Sequence, residues 1–223
     1  MNKKSPLVSH TIRIGITGHR ILQNENLLFE KVKHFLNKEI FKFFDAHSKA
    51  ILKKTPTPLI NYSLITMLAE GADRLVARAV LDYNNTSSLE VVLPFSLSEY
   101  KKTFKNPNDK EFVELFQKAK RIISTETITR YSEQNLSEYI KTHPYESKEL
   151  PGKNDAFKSA GMYMVDNSDL LIALWDGKTN HGKGGTKDII DYAKEKGVSI
   201  IIIYTDADRP NKIMQGQSFL KLT

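Results

Sequence analysis

The sequence predicts an α/β protein with a Rossmann-like, doubly wound and mainly parallel sheet that carries helices on both faces. Two patterns predict this class. Short apolar, β-rich segments alternate with segments whose apolar residues recur at helical spacing, and glycine or small polar residues follow most of the predicted strands. Strands that are joined through helices run parallel, and right-handed crossovers then place helices on both faces of the sheet. With 223 residues, the chain is long enough to bury such a core.

The predicted elements follow one another in a regular order. The first strand ends at Gly18, and from Ile21 to Phe43 the apolar residues recur at helical spacing. A proline-rich break precedes the second strand, and a helix follows that strand. The last helix, over residues 186–196, ends at Gly197, which is a common C-terminal stop. The predicted strands cover residues 12–17, 59–67, 89–93, 169–175 and 198–204.

Residues 1–206 are predicted to form a single domain with one polar insertion at about 95–153. The insertion holds a clear helix at 109–120 and a short strand near 121–124, and its length and position predict a lid or a partner surface. Residues 207–223 are predicted to be a polar tail or linker. The chain is therefore expected to be one domain of a longer protein, whose effector domain would be a partner.

Composition excludes several classes of function. The chain has no cysteine, which excludes thiol catalysis, cysteine-ligated zinc and iron–sulfur clusters, and which suits a reducing cytoplasm. No metal site and no cofactor are predicted. The apolar runs are too short to span a bilayer, so we expect a soluble, cytoplasmic protein without membrane contact of its own.

The net charge of +7 is concentrated at the start of the chain. Residues 1–60 hold 11 Lys and Arg against 4 Asp and Glu, so the remaining residues, with 22 of each sign, are neutral. The excess lies on the first helical segment, where acidic residues are interleaved and no nucleic-acid-binding motif accompanies it. This pattern favours a solvated helix face over a nucleic-acid surface. The basic positions are Lys31, Lys33, Lys38, Lys42, Lys49, Lys53 and Lys54.

Four loops are predicted to meet at one edge of the sheet. In an open parallel sheet, ligands bind beyond the carboxyl ends of the strands, and the residues that follow the first four strands are rich in glycine and small polar residues. Each of these loops contributes candidate ligand-binding residues. They are Gly18, His19 and Arg20; Glu70, Gly71 and Arg74; Pro94, Phe95 and Ser96; and Trp175, Asp176, Gly177, Lys183, Gly184, Gly185 and Thr186.

These residue types suit a phosphate and a nucleoside, and each also has a structural interpretation. The amides of residues 184–186 lie at a helix start, where they would bind a phosphate or simply form a capping turn. Arg20 would bind a phosphate or a ribose of the ligand, or pair with a surface carboxylate. Glu70 would accept ribose hydroxyls or hold its loop. His19 is more typical of a loop residue than of a base, and Trp175 would form either core or a wall for a nucleobase.

Together these segments resemble the SLOG superfamily, a Rossmann-like group that joins LOG enzymes, DprA-like proteins and the nucleotide-sensing domain of TRPM-type channels. The resemblance covers most of the chain outside the insertion and the tail. It rests on residues 14–20 (IGITGHR), 70–74 (EGADR), 93–95 (LPF), 160–161 (AG), 166–177 (DNSDLLIALWDG) and 184–188 (GGTKD). Among its members the chain is most similar to the SLOG domains of bacterial conflict systems, which are thought to sense nucleotide-derived signals.

One departure from the family pattern bears on catalysis. LOG-type hydrolases carry a Gly-Thr-x-x-Glu motif whose glutamate serves N-glycosidic cleavage, and here that position is Ile189. Asp188 lies one residue earlier, about 100° around the helix, and the proline that precedes the double glycine is replaced by Lys183. No catalytic residue is therefore predicted, and an enzyme is the less favoured interpretation.

The resemblance implies a nucleotide-derived ligand, such as an ADP-ribose-like, cyclic ADP-ribose-like or cyclic nucleotide signal. The chain would then be the sensor domain of a bacterial, anti-phage defence system and would form a homo-oligomer. Two alternatives stay open. One is a LOG-like nucleotide N-glycosidase in which Glu70 or Asp188 replaces the missing glutamate, and the other is a DprA-like module that binds DNA through the basic segment at 31–54.

Overall fold

A computed structural model describes residues 9–53, 59–106, 109–123, 153–178, 185–206, 208–217 and 220. Within these residues the strands form one seven-stranded sheet in the order β4-β3-β2-β1-β5-β6-β7, and every neighbouring pair is parallel except β6 and β7. The predicted Rossmann-like α/β class is confirmed. The strands are β1 Ser9–Gly18, β2 Leu59–Thr66, β3 Ser88–Val92, β4 Ala119–Ile123, β5 Leu170–Trp175, β6 Ser199–Tyr204 and β7 Lys212–Met214.

The helices differ most from expectation in the first long segment. Instead of one helix from Ile21, α1 is followed by a π-helical turn at Phe35–Glu39 and a 3₁₀ turn at Ile40–Phe43, and α2 follows after an extended residue. These turns keep the large apolar side chains of the segment in the core. The α-helices are α1 Glu25–His34, α2 Ala46–Leu52, α3 Ala72–Tyr83, α4 Leu97–Lys101, α5 Lys110–Gln117, α6 Lys153–Asp166 and α7 Thr186–Glu195.

The sheet is covered on both faces because alternate residues of its central strands are apolar in both directions. On β6, Ile201 and Ile203 join the core formed with α1 and α3, whereas Ile200 and Ile202 join the core formed with α7. Such continuous apolar runs are typical of parallel strands that are buried on both sides. In the described part of the chain, no helix is long and apolar enough to cross a membrane.

The strand order reverses at β1, which pairs with β2 on one side and with β5 on the other. From β1 the chain first adds strands outward to β4, and it then returns to add β5 and β6 on the opposite side. This is the topological switch point of a doubly wound sheet, and a crevice forms outside the strand ends at such a point.

Two segments outside the predicted core contribute to the sheet. In the insertion, the described residues include α4, α5 and β4, and β4 pairs with β3, so this part extends the sheet rather than only covering it. Residues 124–152 of the insertion lie outside the described part. The tail was predicted to be a linker, but Lys212–Met214 form β7 against β6 and Leu220 is buried beside Phe44.

Candidate functional site at the switch point

The end of β1 is packed tightly between its neighbours. A Cβ on Gly18 would lie 2.4 Å from the Cβ of Ala72 and 2.7 Å from the carbonyl oxygen of Leu174. The next residue joins both neighbours, because the His19 amide donates to the Leu174 carbonyl at 3.2 Å and the His19 carbonyl accepts from the Ala72 amide at 3.0 Å. Glycine at 18 therefore lets β1, α3 and β5 approach each other at the predicted site edge.

The His19 imidazole connects the β1 and β5 loops. Its Nε2 lies 3.1 Å from the Asp176 backbone nitrogen and 3.1 Å from the Asp176 Oδ1. A neutral imidazole with an unprotonated Nε2 accepts from the amide, and a ring that carries a proton on Nε2 donates to the carboxylate. Both side chains are partly exposed. The two residues, which the sequence predicted to share one site, thus meet across the switch point.

The loop between β2 and α3 is organised by a buried carboxyl group. Asp73 Oδ2 accepts from the Thr66 hydroxyl at 3.0 Å and from the amides of Met67 and Ala69 at 3.1 and 3.3 Å. Asp73 is only 4% exposed. Burial raises the pKa of the Asp73 carboxyl to about 6, although these hydrogen bonds and the charge of Arg20 oppose the shift.

Arg74 is buried and holds the insertion against this loop. Its Nε donates to the Leu68 carbonyl at 3.1 Å, its Nη1 pairs with the Asp109 carboxylate, and its Cζ lies 4.9 Å and 5.7 Å from the ring centroids of Phe104 and Phe112. The pKa of Asp109 is lowered by this arginine even though burial alone would raise it. A role of Arg74 in phosphate binding stays a prediction, and its contacts here are with the protein itself.

Arg20 and Glu70 contact the same insertion. Arg20 Nη1 donates to the Thr103 carbonyl at 3.1 Å, and its Cζ lies 5.3 Å from the ring centroid of Phe157. The Glu70 Oε1 accepts from the Lys105 amide at 2.9 Å. All three charged side chains that were predicted at the ends of β1 and β2 therefore contact the insertion, at Thr103, Lys105 and Asp109. Arg20 and Glu70 remain partly exposed.

The residues after β3 begin a cluster of aromatic side chains at the start of the insertion. Pro94 is buried, and the ring of Phe95 packs edge-on against Phe157 at a centroid distance of 5.3 Å. Ser96 caps α4, and its carbonyl accepts from the Tyr100 amide at 2.9 Å. The Tyr100 hydroxyl is buried and has no hydrogen-bond partner among the described residues, and burial raises the pKa of this phenol.

Hydrogen bonds between side chains and backbone groups of the same turn stabilise the turn after β5. The Trp175 Nε1 donates to the Lys178 carbonyl at 3.1 Å, and the Asp176 Oδ1 accepts from the Lys178 amide at 2.9 Å. Gly177 has a φ of 84°, a conformation that favours glycine. The turn is partly exposed and lies directly beside His19, as the loop arrangement predicted.

The glycine-rich loop is described only at its end. Lys183 and Gly184 lie outside the described residues. Gly185 is the N-cap residue of α7, in an extended conformation with a φ of −80°, and as a glycine it has no side chain to cap the helix. Thr186 is buried, and Asp188 stands in the first turn, where it complements the positive end of the helix dipole.

Ile189, at the position of the family glutamate, is part of the core. Its side chain is 2% exposed. It faces Gly161 of α6, where a Cβ would lie 2.4 Å from the Ile189 Cδ1. A carboxylate here would be buried among apolar groups and not presented to a ligand.

Sequence reasoning missed three side chains at this edge. Asp73 follows Gly71 at the start of α3, and an Asp in the first turn of a helix after a strand is the signal that would have indicated its role. The other two are Tyr100 and Arg209, whose Nη1 donates to the Asp176 carbonyl at 3.4 Å. They carry no such signal, because their positions depend on how the insertion and the tail pack.

Comparisons with known proteins give a distant likeness to a solved structure. No known protein family matches the chain, and no curated protein matches it. Among solved structures, DNA processing protein A (DprA) from Helicobacter pylori is similar, with a TM-score of 0.46 and 14% identity over 86% of this chain. That structure is described as showing a mode of binding single-stranded DNA. The chain matches 64% of the length of that protein.

Proposed function

We propose that the chain binds a nucleotide-derived small molecule at the edge where β1, β2 and β5 end. The observation that carries this proposal is the contact of His19 with Asp176 across the switch point. In doubly wound sheets the ligand lies in the crevice outside the strand ends at this point. The fine identity of the ligand, an ADP-ribose-like, cyclic ADP-ribose-like or cyclic nucleotide signal, rests on the SLOG resemblance.

A phosphate is the group that the end of the glycine-rich loop suits best. The first amides of a helix have no partner within the helix, and they carry the positive end of its dipole. The N-cap residue of α7 is Gly185, which has no side chain that would cap these amides or block an approaching anion. Phosphate oxygens at a helix start of this kind are a common mode of binding.

The proposed role is sensing rather than turnover. The buried Ile189 supports this, because the glutamate that LOG-type enzymes use has no counterpart at that position. Arg20, Glu70 and Arg74 contact Thr103, Lys105 and Asp109 of the insertion. A ligand that competes for Arg20 or Glu70 would therefore loosen the insertion and report its own presence. A role in bacterial anti-phage defence and self-association follow from the resemblance alone.

Calorimetry and chromatography on one set of compounds test the function. The set contains AMP, ADP-ribose, cyclic ADP-ribose isomers, cyclic dinucleotides and NAD. We expect the chain to bind at least one of them and to return it unchanged. Release of ribose or ribose phosphate would instead support the N-glycosidase alternative, and the absence of binding to every compound would overturn the proposal.

A single substitution tests the position of the site. Gly185→Glu places bulk and negative charge at the start of α7, so we expect it to abolish binding of the compound that the unaltered chain binds. The extended φ of Gly185 is open to any residue, which keeps the variant folded. Gly185→Ala is the matched control and should retain binding. If the folded Gly185→Glu variant binds as tightly as the unaltered chain, the site lies elsewhere.

The DNA-binding alternative has its own test. Lys33 pairs with Asp82 and Lys42 pairs with Glu39, so part of the basic segment is neutralised within the molecule. If this segment nevertheless binds single-stranded DNA, the affinity falls steeply with salt and is lost when Lys31, Lys38 and Lys42 are reversed in charge. We expect no such salt-dependent binding.

A further inference from the structure

Arg209 lies between β6 and β7, in the segment that the sequence predicted to be a linker, and the structure fixes its guanidinium. Its Cζ lies 3.4 Å from the ring centroid of Tyr204, and its Nη1 donates to the Asp176 carbonyl at 3.4 Å. The backbone is fixed as well, because the Arg209 amide donates to the Asp206 carbonyl at 3.3 Å and its carbonyl accepts from the Lys31 ammonium at 3.5 Å. An exposed arginine is thus held in one position at the edge of the sheet.

The turn after β5 leaves room for this side chain. A Cβ on Gly177 would lie 2.6 Å from the Arg209 Nη1, and the φ of Gly177 is 84°. Glycine therefore serves twice here, for the left-handed conformation and for the close approach of the guanidinium. Arg209 consequently lies against the Trp175–Gly177 turn, at the carboxyl ends of β5 and β6, between which α7 crosses.

The charge of Arg209 is not matched by the protein in the parts that the structure describes. There, Arg13, Arg74, Arg78 and Arg121 each have a carboxylate within ion-pair distance, and Arg209 has none. A guanidinium has five N–H donors, and in the same parts Arg209 donates one hydrogen bond, to a carbonyl. Its remaining donors are available to an anion.

We propose that Arg209 is a ligand-binding residue of the switch-point site and that its guanidinium binds a phosphate oxygen of the ligand. This inference rests on the proposed function. The Tyr204 ring covers one face of the planar group and leaves its edge, which carries the paired N–H donors that match a phosphate. Arg209 then favours ligands that carry phosphate.

The test compares three variants in calorimetric titrations with AMP, ADP-ribose, cyclic ADP-ribose isomers, cyclic dinucleotides and NAD. Arg209→Ala should weaken binding of the compound that the unaltered chain binds by about tenfold or more. Arg209→Lys should weaken it as well, because lysine keeps the charge but loses the planar fork. The matched control is Lys212→Ala, which removes an exposed cation from the neighbouring β7 and should change the affinity less than about twofold.

The outcomes separate this inference from the proposed function. If the unaltered chain binds none of the compounds, the proposed function fails and the inference fails with it. If the unaltered chain binds one of them and Arg209→Ala binds it equally tightly, the inference alone is overturned. Thermal unfolding of each variant shows whether it is folded. If the alanine variant is not folded, Arg209→Lys, which keeps the charge and a long side chain, still decides the test. A smaller dependence of affinity on ionic strength in Arg209→Ala would support a direct contact with the anion.

Discussion

Buried charged side chains hold the loops of the site edge in place. Asp73 and Arg74 are each at most 4% exposed, and each is matched by hydrogen bonds or by an opposite charge. Asp73 closes its own loop on three donors, whereas Arg74 connects α3 to the insertion. A buried charge is tolerated only with such partners, so Asp73 and Arg74 fix the loop and the insertion that the partly exposed Arg20 and Glu70 contact.

Asp73 gives a prediction about the dependence of stability on pH. Its carboxyl has a pKa of about 6 in the folded protein against an ordinary 3.8, so the folded state holds the proton more tightly than the unfolded state. The stability contributed by this group is therefore full below about pH 4, falls as pH rises to about 6, and is lost above that. The shift of roughly two units corresponds to about 3 kcal/mol.

Asp73→Asn is the variant that isolates this contribution. It keeps an acceptor oxygen for the Thr66, Met67 and Ala69 donors but does not ionise. We expect the free energy of unfolding of the variant, relative to the unaltered chain, to rise by about 3 kcal/mol between pH 4 and pH 7. Urea unfolding at both pH values measures this change. Subtracting the free energy of unfolding of the unaltered chain from that of the variant removes the contribution of the carboxylates that both contain. A difference that does not change with pH would mean that Asp73 has an ordinary pKa.

At the level of elements, α6 and α7 pack closely against each other at Gly161. A Cβ on Gly161 would lie 2.4 Å from the Cδ1 and 2.9 Å from the Cγ1 of Ile189. In an exposed helix, replacing glycine by alanine stabilises the protein by about 1 kcal/mol. At this position we expect Gly161→Ala to destabilise it by about 1–3 kcal/mol, because the added methyl overpacks the contact. Chemical denaturation of the variant and of the unaltered chain measures the sign of the change in the free energy of unfolding.

A double substitution serves as the control for this contact. Ile189→Val removes the Cδ1 atom and should by itself lower stability by about 1 kcal/mol. In that background the penalty of Gly161→Ala should be smaller by about 1 kcal/mol, because the closest atom is gone. If Gly161→Ala instead stabilises the unaltered chain, α6 and α7 do not pack as closely as the structure has them.

At the scale of the whole molecule, the sequence predicted the parts of the fold that follow from local pattern. Apolar runs such as that of β6 indicated five strands and their parallel order, because buried parallel strands are apolar on both faces. The loops at Gly18 and Asp176 were expected at one edge because the carboxyl ends of parallel strands lie at the same edge of a sheet. His19 joins these two loops. The remaining features depend on contacts that are distant in sequence, which a local pattern does not carry.

The insertion and the tail show this limit. The pairing of β4 with β3 and of β7 with β6 is decided by which edge of the sheet is open, not by the sequence of the short strands themselves. Arg74 was expected to face a ligand, and its contact with Asp109 joins residues that are 35 positions apart. Arg209 lies near Gly177 because β5 and β6 end side by side in the sheet, which brings together residues that are far apart in the chain.

The packing of the tail gives a prediction about the stability of the whole molecule. Leu220 is 6% exposed, its amide donates to the Phe43 carbonyl at 2.9 Å, and β7 pairs with β6. A chain that ends at Asp206 loses these contacts, so we expect its free energy of unfolding to fall by roughly 3 kcal/mol or more, the size of losing one large buried side chain. A chain that ends at Leu220 is the control and should stay within about 0.5 kcal/mol of the full chain. Urea midpoints and slopes are compared for the three chains. Equal midpoints for the full chain and the chain ending at Asp206 would mean that the tail is a linker, as its polar composition predicts.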